Sequence, residues 1–178
     1  METTVFFKEI QKFRQKWLWA LMLGVGVGTN GLFLYGVIQQ VIFGQLFGNK
    51  PASDTMLLII FGSNLLITIL ITLLLAYSRL ETQIREDGIY MKYFPIHSAY
   101  KKFAWTEISK AYVRKYDAIV EYGGWGIRCG FNFKVKAYNV SGNKGLQLEF
   151  ISGKKILIGT NKPKELTEIL ISMGKLKQ

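Results

Sequence analysis

Cysteine, histidine and acidic residues are scarce in this sequence of 178 residues. The single cysteine, Cys129, excludes an intrachain disulfide and any metal site built on two cysteines. The single histidine, His97, has no second histidine or cysteine with which to share a metal ion, and alone it does not favour a catalytic triad. We therefore predict a non-enzymatic protein with no catalytic residues, no metal and no cofactor.

Residues 55–78 contain no charged side chain, and the interpretation of the whole chain begins from this stretch. The stretch has 24 residues, whereas a hydrocarbon layer needs about 20 helical ones. In water such a helix would be apolar on every face, which is typical of neither an amphipathic helix nor a half-exposed strand. The stretch therefore predicts a transmembrane helix.

A second uncharged stretch covers residues 17–49 and predicts another span over residues 17–43. Residues 44–54 then form the turn of a transmembrane helical hairpin over residues 17–78. Basic residues flank the hairpin on both sides, whereas its turn contains only one lysine. By the positive-inside rule, this predicts a multi-pass protein of the cytoplasmic (inner) membrane with both termini cytoplasmic.

Two features within the spans predict how the hairpin packs. Gly24 and Gly28 form a small-xxx-small pair that allows close backbone approach. Asn30 and Asn64 lie at matched depth, each roughly 20 Å from the cytoplasmic end, so we expect their amides to hydrogen-bond across the hairpin. Neither span contains a side chain that is charged at neutral pH, which favours an anchor over a transporter.

Residues 1–16 carry apolar side chains at helical spacing. Phe6, Ile10, Phe13 and Trp17 follow one another at intervals of four, three and four residues, and lysines repeat every four residues on another face. This pattern predicts an amphipathic helix in the headgroup region ahead of the first span.

The pattern changes to short strands over residues 79–178. Asp87-Gly88 is a strong tight-hairpin signal, and the region as a whole predicts about seven or eight antiparallel strands. Pro163 opens an amphipathic helix predicted over residues 163–173. The fold class is therefore α+β: a transmembrane hairpin, then a small β barrel or sandwich whose open end is capped by the C-terminal helix.

Four segments of the chain resemble a known family. They are IREDGIYMKYFP at 84–95, AWTEISKAYVRKY at 104–116, EYGGWGIRCG at 121–130 and KAYNVSGNKGLQLEFISGKKILIGT at 136–160. Together they resemble bacterial membrane-anchored pleckstrin-homology-like (PH-like) proteins, in which a two-helix hairpin precedes a seven-stranded β domain capped by a helix. The resemblance implies a PH-like cytoplasmic domain over residues 79–178 and a tethered location. It implies no ligand and no catalytic residue.

Positive charge dominates the β region, with 18 Lys and Arg against 9 Asp and Glu from Arg79 onward. Beside a membrane such a domain is attracted to anionic headgroups. The candidate contacts with lipid or another anionic ligand are Lys101, Lys102, Arg114, Arg128, Lys134, Lys136 and Lys144, together with Trp125. The alternative is an ordinary charged surface.

These features predict a binding or scaffolding module held at the cytoplasmic leaflet, where it engages anionic lipid or a membrane-protein partner. The alternative is an accessory subunit of a larger inner-membrane complex, which packs through its hairpin against another membrane protein or a second copy of the chain. Nucleic acid is not an expected partner, because no recognition motif with a stacking signature occurs.

Overall fold

The computed structural model describes residues 4–129 and 135–176, and the chain divides into two units. Residues Arg14–Ala76 form a helical unit. Residues Met1–Phe13 and Tyr77–Gln178 together form a β unit. The β unit is therefore built from both ends of the chain, and the predicted boundary at residue 79 omits its first part.

Two long helices form the helical unit. α1 covers Lys16–Val37 and continues as a π-helical turn over Ile38–Ile42, and α2 covers Asp54–Tyr77. Both are long and apolar enough to cross a membrane, with 27 residues over Lys16–Ile42 and 24 over Asp54–Tyr77. The predicted pair of apolar helices is confirmed to within about a residue at each end.

The close approach between α1 and α2 occurs at Gly26. A Cβ atom placed on Gly26 would lie 3.1 Å from Cγ2 of Thr68, whereas one placed on Gly24 or Gly28 would meet nothing within 4 Å. The prediction that Gly24 and Gly28 pack within the hairpin is therefore wrong. Two residues correspond to about 200° around a helix, so Gly26 lies nearly opposite the predicted pair.

Two asparagines connect the helices through threonines. The Nδ2 of Asn30 donates to the Oγ1 of Thr68 at 3.2 Å and to the carbonyl of Gly26 at 2.8 Å. The Nδ2 of Asn64 donates to the Oγ1 of Thr29 at 3.4 Å. Both amides thus bond across the hairpin as expected, but each to a threonine of the other helix. Such bonds stabilise membrane helices by about 0.6 kcal/mol each.

Nine strands are found in the described part of the β unit. In chain order they are β1 Val5–Lys12, β2 Arg79–Arg85, β3 Gly88–Phe94, β4 Lys101–Ala104, β5 Ile108–Lys115, β6 Gly126–Cys129, β7 Val135–Asn139, β8 Lys144–Phe150 and β9 Lys155–Gly159. A short helix, α3, covers Ala118–Tyr122, and α4 covers Pro163–Ser172, which confirms the predicted C-terminal helix.

The strands form two open sheets with the orders β1-β2-β3-β4 and β5-β8-β9-β7-β6. All pairs are antiparallel except β7 and β9, which are parallel. Of the two predicted architectures, the barrel is wrong for the described residues. The 3-10 turn Trp105–Glu107 separates β4 from β5, and these two strands lie at the edges of different sheets.

Strand β1 occupies the segment predicted to be an interfacial helix, so that prediction is wrong. Its side chains alternate between buried and exposed, as the period of two in a strand requires. Phe7, Glu9 and Gln11 are buried, whereas Phe6 and Ile10 are exposed. The register runs from Phe7 opposite Ile84 to Lys12 opposite Arg79.

Buried polar groups fix β1 to the far end of the chain. The Glu9 carboxylate accepts hydrogen bonds from the Thr160 hydroxyl at 2.7 Å and from the Asn161 N–H at 2.8 Å. The Nε2 of Gln11 donates to the carbonyl of Gly159 at 2.6 Å. A buried polar group costs free energy unless it is bonded, so these partners explain why two polar side chains point inward.

Both sheets and α4 share one hydrophobic core. It contains Phe7, Ile84 and Met91 from the first sheet, Leu146, Leu148 and Ile158 from the second, and Leu166 and Leu170 from α4. Each of these eight side chains is at most 2% exposed. The helix therefore closes a two-sheet sandwich.

Candidate anion-binding cleft

A cleft of about 430 Å³ lies between β4 of the first sheet and β7 and β9 of the second. Five lysines line it, and we call it the lysine cleft: Lys101, Lys102, Lys136, Lys154 and Lys155. They come from β4, from β7, from the turn before β9 and from the first residue of β9. One carboxylate, that of Glu107, also lines the cleft.

Two of the five lysines are held in ion pairs. The Nζ of Lys102 lies 2.6 Å from Oδ2 of Asp87, and the Nζ of Lys155 lies 3.1 Å from Oε1 of Glu149. The hydrogen bond from Lys102 lowers the pKa of the Asp87 carboxyl and the Tyr90 hydroxyl lowers it further, so Asp87 is ionised at neutral pH. Both lysines stay at the cleft, but a carboxylate already offsets each charge.

The other three lysines are uncommitted. Within the part of the chain that the structure describes, no carboxylate lies within 4.0 Å of the ammonium groups of Lys101, Lys136 and Lys154. All three side chains are exposed. The five lysines together with Glu107, Asp87 and Glu149 leave a local net charge of +2.

Aromatic side chains form the apolar wall of the cleft. Phe103 and Phe150 meet edge to face with ring centroids 5.6 Å apart, and Tyr138 lies beside them with 3% of its surface exposed. The Nζ of Lys101 lies 5.9 Å from the centroid of the Tyr138 ring. The cleft thus combines ammonium groups at its rim with a wall that carbon-rich groups can contact.

His97 borders the cleft through Tyr138, with the two ring centroids 5.7 Å apart. Its Nδ1 accepts the N–H of Tyr93 at 3.2 Å. Burial lowers the pKa of His97, and the charge of Lys101 lowers it further. His97 is therefore neutral at pH 7, and the positive charge of the site comes from the lysines.

The structure places the predicted anion contacts at different sites. Lys101, Lys102 and Lys136 meet in the lysine cleft, whereas Lys144 lines a separate cleft of about 380 Å³. Lys134 lies outside the described residues. The sequence prediction missed Lys154 and Lys155, for which the only local signal is that two adjacent lysines follow the Ser152-Gly153 turn.

Arg114 and Trp125 have structural contacts away from the lysine cleft. The Arg114 guanidinium pairs with Glu121, with Nη2 2.7 Å and Nη1 3.2 Å from its two carboxylate oxygens, and also donates to the Tyr122 hydroxyl at 2.9 Å. The Nε of Arg128 donates to the carbonyl of Trp125 at 3.0 Å. Trp125 itself packs on a second apolar cluster that includes Tyr122.

The chemistry of the lysine cleft is that of an anion site. Lysine ammonium groups are strong donors to carboxylates and phosphates and carry no acceptor. No group of three or more His, Cys, Asp or Glu side chains that could hold a metal ion occurs among residues 4–129 and 135–176. What the cleft offers a ligand is therefore positive charge, hydrogen-bond donors and an aromatic wall.

Comparison with known proteins gives one match. Neither the curated proteins nor the solved structures contain a match to this chain. A protein-family comparison matches residues 1–175 to a family described as "Family of unknown function (DUF6141)". The match includes β1, the apolar hairpin and every lysine of the cleft. The chain therefore belongs to this family of unknown function, DUF6141.

Proposed function

We propose that this protein is a membrane-anchored, non-enzymatic binding module whose lysine cleft holds an anionic group of a lipid or of a membrane-protein partner. The observation that carries the proposal is the convergence of five lysines on one cleft, three of them without a carboxylate partner among the described residues. Long-range electrostatic attraction between the basic β unit and the anionic lipids of the leaflet would bring such ligands to the site.

The anchor in this proposal is the pair of apolar helices. As two spans of the cytoplasmic membrane they would leave both termini on the cytoplasmic side, because the basic residues outside the spans precede α1 and follow α2. The β unit is joined to this anchor at two points of the chain. Covalent tethering of this kind raises the effective concentration of a module for ligands in the same bilayer.

We also propose that the β unit is PH-like. Two packed sheets, a C-terminal helix over Pro163–Ser172 and a core shared by all three support this assignment. The β unit differs from the expected seven-stranded antiparallel arrangement in three respects. It has nine strands among the described residues, β7 and β9 pair in parallel, and β1 precedes the hairpin in sequence. A binding role fits a scaffold in which the edge strand β4 of one sheet and strands β7 and β9 of the other border a charged cleft.

Replacing Lys101, Lys136 and Lys154 together with glutamine is expected to weaken binding of a soluble anionic lipid by about tenfold. Exposed ion pairs contribute about 0.5 kcal/mol each, so three amount to about 1.5 kcal/mol, which is about tenfold in Kd. The measurement is calorimetric titration of the full chain in detergent with dihexanoyl-phosphatidylglycerol, and dihexanoyl-phosphatidylcholine serves as the zwitterionic reference.

The matched control is the triple variant Lys8→Gln, Lys12→Gln and Lys164→Gln, which removes the same charge from exposed lysines outside the cleft. The control should bind phosphatidylglycerol within about twofold of the unmodified chain. An equal loss in both variants would show that general surface charge, and not the cleft, attracts the lipid. Equal affinity of the unmodified chain for both lipids would contradict the proposed function.

A second candidate function is that of an accessory subunit in a larger membrane complex. Gly24, Gly28 and Gly31 favour it, because a Cβ placed on any of them would meet nothing within 4 Å. This side of α1 is therefore open to close approach by another helix. Mass measurement of the chain purified in mild detergent is expected to give a species heavier than one chain, and a lone monomer would contradict this candidate.

A further inference from the structure

We infer that the lysine cleft selects a doubly charged phosphate monoester over a singly charged phosphate diester. This inference rests on the proposed function, since it names the chemical class of the anion that the same cleft would hold. Three observations carry it: the net charge of the site, the number of uncommitted ammonium groups and the aromatic wall.

The net charge of the site matches a dianion. The five lysines, after subtraction of Glu107, Asp87 and Glu149, leave a charge of +2. A phosphate monoester carries about −1.5 to −2 at pH 7, because its second pKa is about 6. A phosphate diester, which has one ionisable oxygen, carries −1. Only the monoester therefore neutralises the site when it binds.

The uncommitted donors also match a monoester in number. Lys101, Lys136 and Lys154 come from three different segments, namely β4, β7 and the turn before β9. A terminal phosphate group presents three acceptor oxygens, whereas a diester presents two that are not bridging. Three separate ammonium groups can therefore each meet one oxygen of a monoester, and a diester leaves one of them without a partner.

The aromatic wall indicates that the ligand is an ester and not the bare ion. The cleft volume of about 430 Å³ far exceeds what one phosphate group fills and lies within the range of small-molecule sites. Phe103 and Phe150 are half-buried beside the lysines and would contact the carbon part that the phosphate carries. Such an ester could be a membrane lipid or a soluble metabolite, and both share the same phosphate chemistry.

The experiment uses the full chain in detergent at pH 7.5, where a monoester is mostly doubly charged. The probes are dihexanoyl-phosphatidate and dihexanoyl-phosphatidylglycerol, which differ in their phosphate, together with soluble glycerol 3-phosphate. We expect phosphatidate to bind about twofold more tightly than phosphatidylglycerol, which corresponds to one additional exposed ion pair. The Lys101→Gln, Lys136→Gln and Lys154→Gln triple variant should lose this preference, and the Lys8→Gln, Lys12→Gln and Lys164→Gln triple variant should keep it.

Glycerol 3-phosphate distinguishes the two sources of the monoester. Competition with phosphatidate at equal concentration would support a soluble ester, and failure to compete would support a lipid headgroup. Phosphatidate binding that is equal to or weaker than that of phosphatidylglycerol overturns the inference. If phosphatidylglycerol nevertheless binds better than phosphatidylcholine, the inference fails but the proposed function stands. Equal binding of all three lipids overturns both the inference and the proposed function.

Discussion

Replacing Phe7 with alanine is expected to destabilise the β unit by about 3–5 kcal/mol, whereas Phe6→Ala should change its stability by less than about 1 kcal/mol. The two residues are adjacent, but they lie on opposite faces of β1. Phe7 is 2% exposed in the core that both sheets and α4 share, and Phe6 is 45% exposed. Truncation of Phe7 therefore removes buried contacts and leaves a cavity, and truncation of Phe6 does neither.

Hydrogen exchange of the β-unit amides in the full chain measures this difference without interference from the helices. Faster exchange throughout both sheets is expected for Phe7→Ala and unchanged exchange for Phe6→Ala. The reverse order would contradict the strand, since in a helix over residues 1–16 Phe6 lies on the apolar face with Ile10 and Phe13.

The position of β1 also decides how the β unit can be studied. A fragment that begins at Arg79 lacks Phe7, Glu9 and Gln11, which are all buried in the β unit. It would remove the acceptor of the Thr160 hydroxyl and of the Asn161 N–H, and it would leave the edge of β2 that pairs with β1 without a partner strand. Binding experiments should therefore use the full chain.

Replacing Gly26 with leucine is expected to destabilise the packing of α1 on α2 by about 3 kcal/mol, and Gly28→Leu should leave that packing unchanged. A Cβ on Gly26 already lies 3.1 Å from the Thr68 side chain, so a longer side chain must push the helices apart. This separation would also lengthen the bond from Asn30 to Thr68. Gly28 has open space around it and gives a control of identical chemistry.

Unfolding of the full chain in mixed micelles of increasing SDS content, followed by helical circular dichroism, measures the effect. Gly26→Leu should shift the transition to a lower SDS fraction, and Gly28→Leu should not. A larger shift for Gly28→Leu would mean that Gly24 and Gly28 face α2, as their spacing alone predicts.

Local signals explain which parts of the fold could be predicted. Three kinds of signal can be read from the local sequence alone, and each predicts an element that the structure contains. They are the uncharged stretches around Asn30 and Asn64, the Asp87-Gly88 turn and Pro163. Which face of α1 meets α2 depends on the partner helix, so the sequence of α1 could not distinguish Gly26 from Gly24 and Gly28.

β1 could not be predicted from its own residues. Its apolar residues fit a helical spacing, and the competing alternation places Glu9 and Gln11 among the buried positions. These polar groups can be buried at low cost only because they form hydrogen bonds with Gly159, Thr160 and Asn161. Those partners lie about 150 residues further along the chain. Tertiary contacts thus outweigh local pattern in this segment.

The candidate site was only partly predictable for a similar reason. Composition identifies the basic residues, but it does not show which of them have partners. Arg114 is committed to Glu121, seven residues away, because α3 turns the chain back toward β5. Lys154 and Lys155 join Lys101 only because β9 and β4 border the same cleft, and pairing between distant strands decides that arrangement.

The most direct test of the anchored, anion-binding module is native mass spectrometry of the full chain released from nanodiscs that contain phosphatidylcholine, phosphatidylglycerol and phosphatidate in equal amounts. We predict that the chain inserts into the discs and retains anionic lipid, with phosphatidate enriched. The Lys101, Lys136 and Lys154 triple variant should insert equally well but lose the enrichment. Failure of the chain to insert, or lipid adducts in proportion to the bilayer composition for both proteins, would contradict this prediction.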